Sequence, residues 1–247
     1  MHHIEGFKLH TEEIYAPLPV LEMLKCKYCG FCAVYCPGQA IRFDRYRPSV
    51  SIVVSRCLAC GECIKACNRQ VIKLVDKLTG YITQGRNEHQ FVMVGQLDGT
   101  RNFQVPLIRS LVDKLNRDAE VICDFGPGNS EIIHLALKEM DKAAIVVKPS
   151  PGWERNLGFI RQMAESCRVP SGVILNKIRY EHGFIDEASS YCSKFSLPLL
   201  GIIPYDNDLG KGRLYDQSSK AEKLENEFSN ITDKLAKMNP VSLNNIK

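Results

Sequence analysis

The sequence predicts an α/β protein, a parallel sheet with helices on both faces, joined to a small cysteine-rich metal domain. Three observations carry this expectation. Eight of the 11 cysteines fall between Cys26 and Cys67. Beyond about residue 88, short apolar β-branched runs alternate with segments whose apolar residues recur at helical spacing. Strands alternating with helices of that length imply βαβ units around a parallel sheet covered on both faces.

The 247 residues suffice for one large domain or two smaller ones, with a sizeable core. With 45% hydrophobic and 24% charged residues the composition is ordinary, and a net charge of +4 is too small to argue for nucleic acid. No apolar run approaches the ~18 residues of a membrane helix, and no charged-then-apolar signal segment opens the sequence. A cytoplasmic protein with neither membrane nor nucleic acid as a partner is expected. Clustered cysteines in such a chain point to metal rather than disulfides.

Four segments follow. Residues 1–20 are a lead-in, with a strand over 13–20 interrupted by Pro17 and Pro19. Residues 21–87 hold the cysteine cluster, 88–240 the α/β domain, and 241–247 a polar tail. In the α/β zone, 90–95 reads as a strand, and Val105, Leu107, Ile108, Leu111, Val112 and Leu115 mark a helix over 103–115. Then come strand 120–123, helix 130–140 and the buried parallel strand 143–147. Helix 154–166, strand 172–175, helix 184–195, strand 199–203 and a charged amphipathic helix over 220–237 complete the pattern.

The cysteines form two copies of C-x2-C-x2-C-x3-C: Cys26, Cys29, Cys32 and Cys36, then Cys57, Cys60, Cys63 and Cys67. This is the run with which bacterial-type ferredoxins hold two [4Fe–4S] clusters. Three thiolates two residues apart wrap a loop around one cube and ligate three of its irons. The fourth iron takes the last cysteine of the opposite motif. Cluster one is then Cys26, Cys29, Cys32 and Cys67, and cluster two is Cys57, Cys60, Cys63 and Cys36. Zinc, the other reading, favours paired C-x2-C units and fits two triplets poorly. Gly30 and Gly61 follow the second cysteine of each motif, where a missing side chain lets N–H groups approach sulfur. Pro37 stops the helix after Cys36; Asn68 stands in its place after Cys67, which predicts a looser turn or altered solvent access. Between the motifs, Arg42-Phe43-Asp44-Arg45-Tyr46-Arg47 is open to a nucleic-acid reading, but reads better as a solvated hairpin face that docks an acidic redox partner.

In Val121-Ile122-Cys123-Asp124-Phe125-Gly126-Pro127-Gly128-Asn129-Ser130, an apolar run hands over to a turn and a helix cap. Asp124 sits at a predicted strand end, where ligands of parallel sheets collect. Gly126 and Gly128 let the backbone approach a phosphate, and Asn129 or Ser130 caps the next helix and turns its N-terminus to an anion. Asn176-Lys177 follows another strand, and Pro204-Tyr205-Asp206 ends the next. Cys123, Cys167 and Cys192 read as structural, Trp153 as a loop anchor or an interface residue, and the six histidines show no metal spacing.

Over residues 20–210 the chain resembles the MinD-type P-loop ATPases that carry an inserted two-cluster ferredoxin domain. The resemblance rests on the two cysteine motifs, then DFGPG for the family's D-x-P-P-G, VILNK for its VxxNK/R and IIPYD for its IPYD or IPFD. It implies a P-loop NTPase-like fold, Asp124 in the metal and switch region, and Asn176 against adenine. It also implies a dimer, either of like chains or with a MinD-like chain. The family opens with a strand and a K-G-G-x-G-K-T loop, whereas this sequence opens where the insert opens and contains no G-x-x-x-x-G-K-[ST]. Leu209-Gly210-Lys211-Gly212 is the nearest lookalike and reads as a turn. Lacking a phosphate cradle, phosphoryl transfer loses its main electrostatic support, so no independent ATPase activity is expected. ATP and magnesium enter only with a partner chain, or as a relic.

The function expected is iron–sulfur electron transfer to or from a redox partner protein, with an ATPase-like domain for docking or regulation. The alternative is a nucleotide-dependent redox or cluster-transfer component completed by a P-loop-bearing partner chain.

Overall fold

The computed structural model describes residues 7–88, 90–99, 103–126, 130–179, 183–207 and 219–238. The chain folds as two compact units, Met1–Ile132 and Ile133–Lys247.

In the first unit, β1 (Lys8–Leu21) and β4 (Ile72–Arg86) pair antiparallel along their whole length. The ladder runs from Lys8 opposite Arg86 to Leu21 opposite Ile72. β5 (Phe91–Leu97) pairs antiparallel with β4, giving the order β1-β4-β5. Ile14, Ala16 and Leu18 of β1 are buried at every second position, the period of a strand with one face on the core. Helix α3 (Gln104–Asp113) lays Leu107 and Leu111 against Ile14 and Ile82. Pro106 stands in its first turn, where a missing N–H breaks no helical bond.

β1 runs unbroken through Pro17 and Pro19, so the expected interruption is absent. It is an edge strand. Every second N–H of an edge strand points away from the ladder, and two prolines two residues apart fit that outward row. The register shifts once, beyond Ile14, where Thr79 of β4 has no opposite residue. Its buried hydroxyl donates to the Ile14 carbonyl at 2.8 Å, so the bulge hides no unpaired group there.

The sequence pattern puts a boundary at residues 87–88; the structure does not. β5 and α3 pack with the strands that flank the cysteines. An apolar run announces a strand but not the direction of its partner, and here the partner is antiparallel. The strand expected over 120–123 is also missing. Residues 121–126 carry no regular structure, and Ile122 is 96% exposed. A strand is not a local property: without a neighbouring ladder, three apolar residues gain nothing by extending.

The second unit holds the parallel sheet. β6 (Ala143–Val147), β7 (Ser171–Ile178) and β8 (Leu199–Pro204) run parallel in the order β6-β7-β8. On one face, Ile145, Val147, Val173 and Leu175 meet Leu157 of α5 (Trp153–Ser166) and Phe184, Ala188 and Cys192 of α6 (Phe184–Lys194). On the other, Ile174 and Leu200 meet Ile231 of α7 (Ser219–Ala236). α4 (Ser130–Leu137) packs Ile133 and Leu137 against Ala164 and Val169. Trp153 is an anchor: its ring meets those of Phe184 and Tyr191 edge-on, at centroid distances of 5.1 and 5.5 Å. Among the described residues no helix is long and apolar enough to cross a membrane.

Candidate metal centre

The two cysteine motifs fold alike, each residue 31 positions after its counterpart. A single 3-10 turn precedes each motif, Met23–Lys25 and Val54–Arg56. The carbonyls of Met23 and Val54 accept the N–H groups of Cys26 and Cys57, both at 3.0 Å. Gly30 and Gly61 stand at φ +79° and +76° and cap one-turn helices, α1 (Phe31–Val34) and α2 (Glu62–Lys65). Positive φ is thus what the glycines supply. The loops also hold Tyr28, Ala59, Gln39 and Gln70 at φ between +48° and +54°. These four non-glycine residues escaped the sequence reading; the recurrence of Gln39 as Gln70 was the only signal for them.

The exits cross. β2 (Ile41–Asp44) leaves the first motif and pairs antiparallel with β3 (Ser49–Ile52), which enters the second. β4 leaves the second and pairs with β1, which enters the first. The N–H of Glu22 donates to Val71 O at 2.8 Å and that of Val53 to Ala40 O at 2.7 Å. Each motif therefore ends beside the start of the other, which brings Cys36 and Cys67 across.

The sulfurs sort accordingly. Burial pushes the Cys32 thiol up, and the nearby sulfurs of Cys67, Cys29 and Cys26 push it further, against a lowering N–H of Ala33. Burial likewise raises Cys57, with Ala59 N–H lowering it and Cys36 and Cys60 raising it. Cys63 is pushed up to about 11 by burial, then by Cys57, Cys36 and Cys60. Cys36, Cys57, Cys60 and Cys63 line one enclosed cavity. Further N–H groups point at sulfur, Tyr28 to Cys26 at 3.4 Å and Ala40 to Cys36 at 3.2 Å.

Four thiols crowded together, partly buried and mutually repelling as thiolates call for a cationic occupant. Among the described residues no three or more His, Cys, Asp or Glu side chains gather as ligands of a single metal ion. On one zinc at about 2.3 Å the sulfurs would stand within roughly 4 Å of each other; here they surround a cavity. The donor set fits an iron–sulfur core, which when bound stores one electron per cluster. The chain's own residues would tune that core: the thiolates would ligate its irons, the N–H groups on Cys26 and Cys36 would favour the more reduced state, and burial would oppose it. Asn68 does not loosen its turn. The N–H of Gln70 reaches Cys67 O at 3.0 Å, as that of Gln39 reaches Cys36 O at 3.0 Å.

The described residues read as nucleotide-binding are divided between the two units. Asp124 and Gly126 lie exposed in the irregular 121–126 segment of the first unit. Gly128, Asn129 and the 209–212 turn lie outside the described residues. Asn176 is on β7 of the second unit, where its Oδ1 accepts the N–H of Lys177 at 2.7 Å. Cys192 is buried in the core and Cys167 is half-buried just after α5, while Cys123 is half-buried outside any strand.

This fold and this donor set define an iron–sulfur domain of the kind used in electron transfer. Residues 25–71 match the family model of the 4Fe-4S dicluster domain, which spans both motifs. No curated protein matches the chain.

Proposed function

We propose that this chain is an electron-transfer protein with two [4Fe–4S] clusters and that each cluster borrows its fourth ligand from the other motif. Cluster one takes Cys26, Cys29, Cys32 and Cys67; cluster two takes Cys57, Cys60, Cys63 and Cys36. The observation that carries the reading is the crossed grouping of sulfurs, Cys67 beside Cys32 and Cys36 beside Cys57 and Cys63. The parallel-sheet unit serves to dock or regulate, and a redox partner protein completes the cycle.

Serine variants test the pairing. In EPR spectra of anaerobically reduced protein, Cys67→Ser alters the signal that Cys26→Ser alters, and Cys36→Ser the one that Cys57→Ser alters. If Cys36→Ser instead shares its signal with Cys26→Ser, the crossed ligation is wrong. Iron and sulfide far below eight atoms each per chain after anaerobic reconstitution would sink the whole reading.

One observation favours a second reading. Lys177 is held at φ +59° beside Asn176, near the C-terminal end of β7, and strained backbone at the end of a parallel strand is where ligands gather. There the second unit would act as a MinD-type half in a dimer with a P-loop-bearing chain. Calorimetric titration of magnesium–ATP, without and with a MinD-type ATPase added, decides; no heat in either case removes it.

A further inference from the structure

The internal twofold supplies a control for every surface position around the clusters. Around the first motif, four exposed side chains are large and apolar: Leu24, Phe31, Val34 and Tyr35, with Leu24 fully exposed and Val34 79% exposed. Their counterparts 31 residues on are Ser55, Glu62, Lys65 and Ala66. The backbone is the same in both halves, so folding does not require an apolar surface at these places.

The cations separate the halves too, though not by number. Residues 23–52 carry Lys25, Lys27, Arg42, Arg45 and Arg47 against one acid, Asp44. The corresponding stretch 54–83 carries five cations against two acids, Glu62 and Asp76. In the second half, however, Lys65 is paired with Glu62 at 2.6 Å and Lys73 with Glu22, which leaves Arg56, Arg69 and Lys77 without an ion pair among the described residues. In the first half, Lys27, Arg42, Arg45 and Arg47 form no ion pair among the described residues. The one acid is occupied, since Asp44 Oδ1 accepts the N–H groups of Tyr46 and Arg47 at 2.8 and 3.0 Å and so tightens the hairpin turn. The hairpin and the first motif share an open concavity, walled by Cys29, Val34, Phe43 and Arg45.

We infer that this face is the docking surface for an acidic protein carrier of single electrons, and that the exposed Cys29 edge of cluster one is where the electron crosses. The inference rests on the iron–sulfur reading above. In each exchange the carrier loses one electron, the Cys26, Cys29, Cys32 and Cys67 cluster gains it, and no proton need move. Apolar and cationic side chains on one concavity, here Val34 and Phe43 with Arg45, suit a protein–protein interface. Leu24 and Val34, the two most exposed of the four, are aliphatic and offer no stacking surface to a base, which favours a protein over a nucleic acid. Unpaired cations on a tight hairpin attract an acidic surface and speed its encounter.

The probe is reduced flavodoxin, an acidic one-electron flavoprotein, mixed with oxidised holoprotein in stopped flow. The rate should fall as salt rises from about 10 mM to about 1 M, where the screening length shrinks from about 30 Å to about 3 Å. At low salt, Arg45→Glu/Arg47→Glu should slow it about tenfold or more, with the EPR signals unchanged. Arg56→Glu/Arg69→Glu, on the other half, should leave it within about twofold. Equal effects of the two double variants, or a rate indifferent to salt, overturn the docking face. So does single-stranded DNA (a thymidine oligomer) that binds the chain and loses its affinity in Arg45→Glu/Arg47→Glu while flavodoxin transfer is unaffected. Should the protein hold no reducible cluster, the electron-transfer reading fails by itself. Calorimetric flavodoxin binding to the same variants then still decides the face.

Discussion

Gly30 and Gly61 are twofold counterparts with nearly the same backbone, at φ +79° and +76°. Replacing either by alanine puts a Cβ into the left-handed region, which costs roughly 1–2 kcal/mol. Their surroundings differ. A Cβ on Gly61 meets nothing within 4 Å, whereas one on Gly30 falls 2.9 Å from Cδ1 and Cε1 of the Phe43 ring. That ring must shift, and overpacking of this kind costs about 1–3 kcal/mol more. At roughly 4 °C per kcal/mol for a unit of this size, Gly61→Ala should lower the apparent Tm by roughly 4–8 °C. Gly30→Ala should fall by about 4–12 °C beyond that, in anaerobic scans of holoprotein at one fixed scan rate. Phe43→Val in the Gly30→Ala background should recover the excess, a coupling of about 1–3 kcal/mol in a double-mutant cycle. Equal losses at the two glycines, or no coupling with Phe43, would show that the ring does not constrain the first loop.

Other consequences are more local. Thr79→Val removes the hydroxyl that satisfies the buried Ile14 carbonyl and should cost about 1–3 kcal/mol in denaturant unfolding; Thr79→Ser should recover most of it. Asn68→Pro should be neutral or stabilise by up to about 1 kcal/mol, because Pro37 already occupies the counterpart of the same closed turn; a loss beyond that means the turns differ. The Glu12 carboxyl is held below its ordinary value chiefly by its hydrogen bond to the Lys114 ammonium, at 2.9 Å. A depressed carboxyl contributes stability above the usual carboxylate range and loses it as pH falls through the lowered folded-state value. Lys114→Gln should therefore flatten the acid limb of an anaerobic stability profile; an unchanged limb would remove Glu12 from the account.

The metal centre was legible because ligation chemistry dictates spacing. Thiolates at C-x2-C-x2-C must surround one cube, and no tertiary information is needed to read that. Helices α5, α6 and α7 and strands β6, β7 and β8 were legible because period and length agreed with burial. What failed was everything that depends on a distant neighbour. Pro17 and Pro19 read as breakers because edge position is a property of the sheet. The 91–97 strand read as the start of a parallel sheet because an apolar run does not encode β4 as its antiparallel partner. The 121–123 run read as a strand end because the motif-like DFGPG after it lent it a role; Ile122 lies open instead. The apolar surface at Leu24, Phe31, Val34 and Tyr35 was equally hidden, since exposure within a one-turn helix has no periodicity to betray it.

A duplicated fold separates what structure demands from what a surface is for. The demands recur: four cysteines, the glycine at the helix cap and the glutamine at left-handed φ appear in both halves. Where Glu62 and Lys65 close an ion pair on α2, Phe31 and Val34 leave apolar surface open on α1. Burying neither in the monomer, the chain gains no folding energy from them, and exposed apolar groups favour unwanted association. A constraint of the cluster or of the loop would act on both halves alike. The difference is therefore not explained by holding iron and sulfur, and it falls on the half where Arg42, Arg45 and Arg47 form no ion pair among the described residues. An occupant of that face must bring apolar contacts and negative charge together, which is what the flavodoxin rates and the two double variants are chosen to detect.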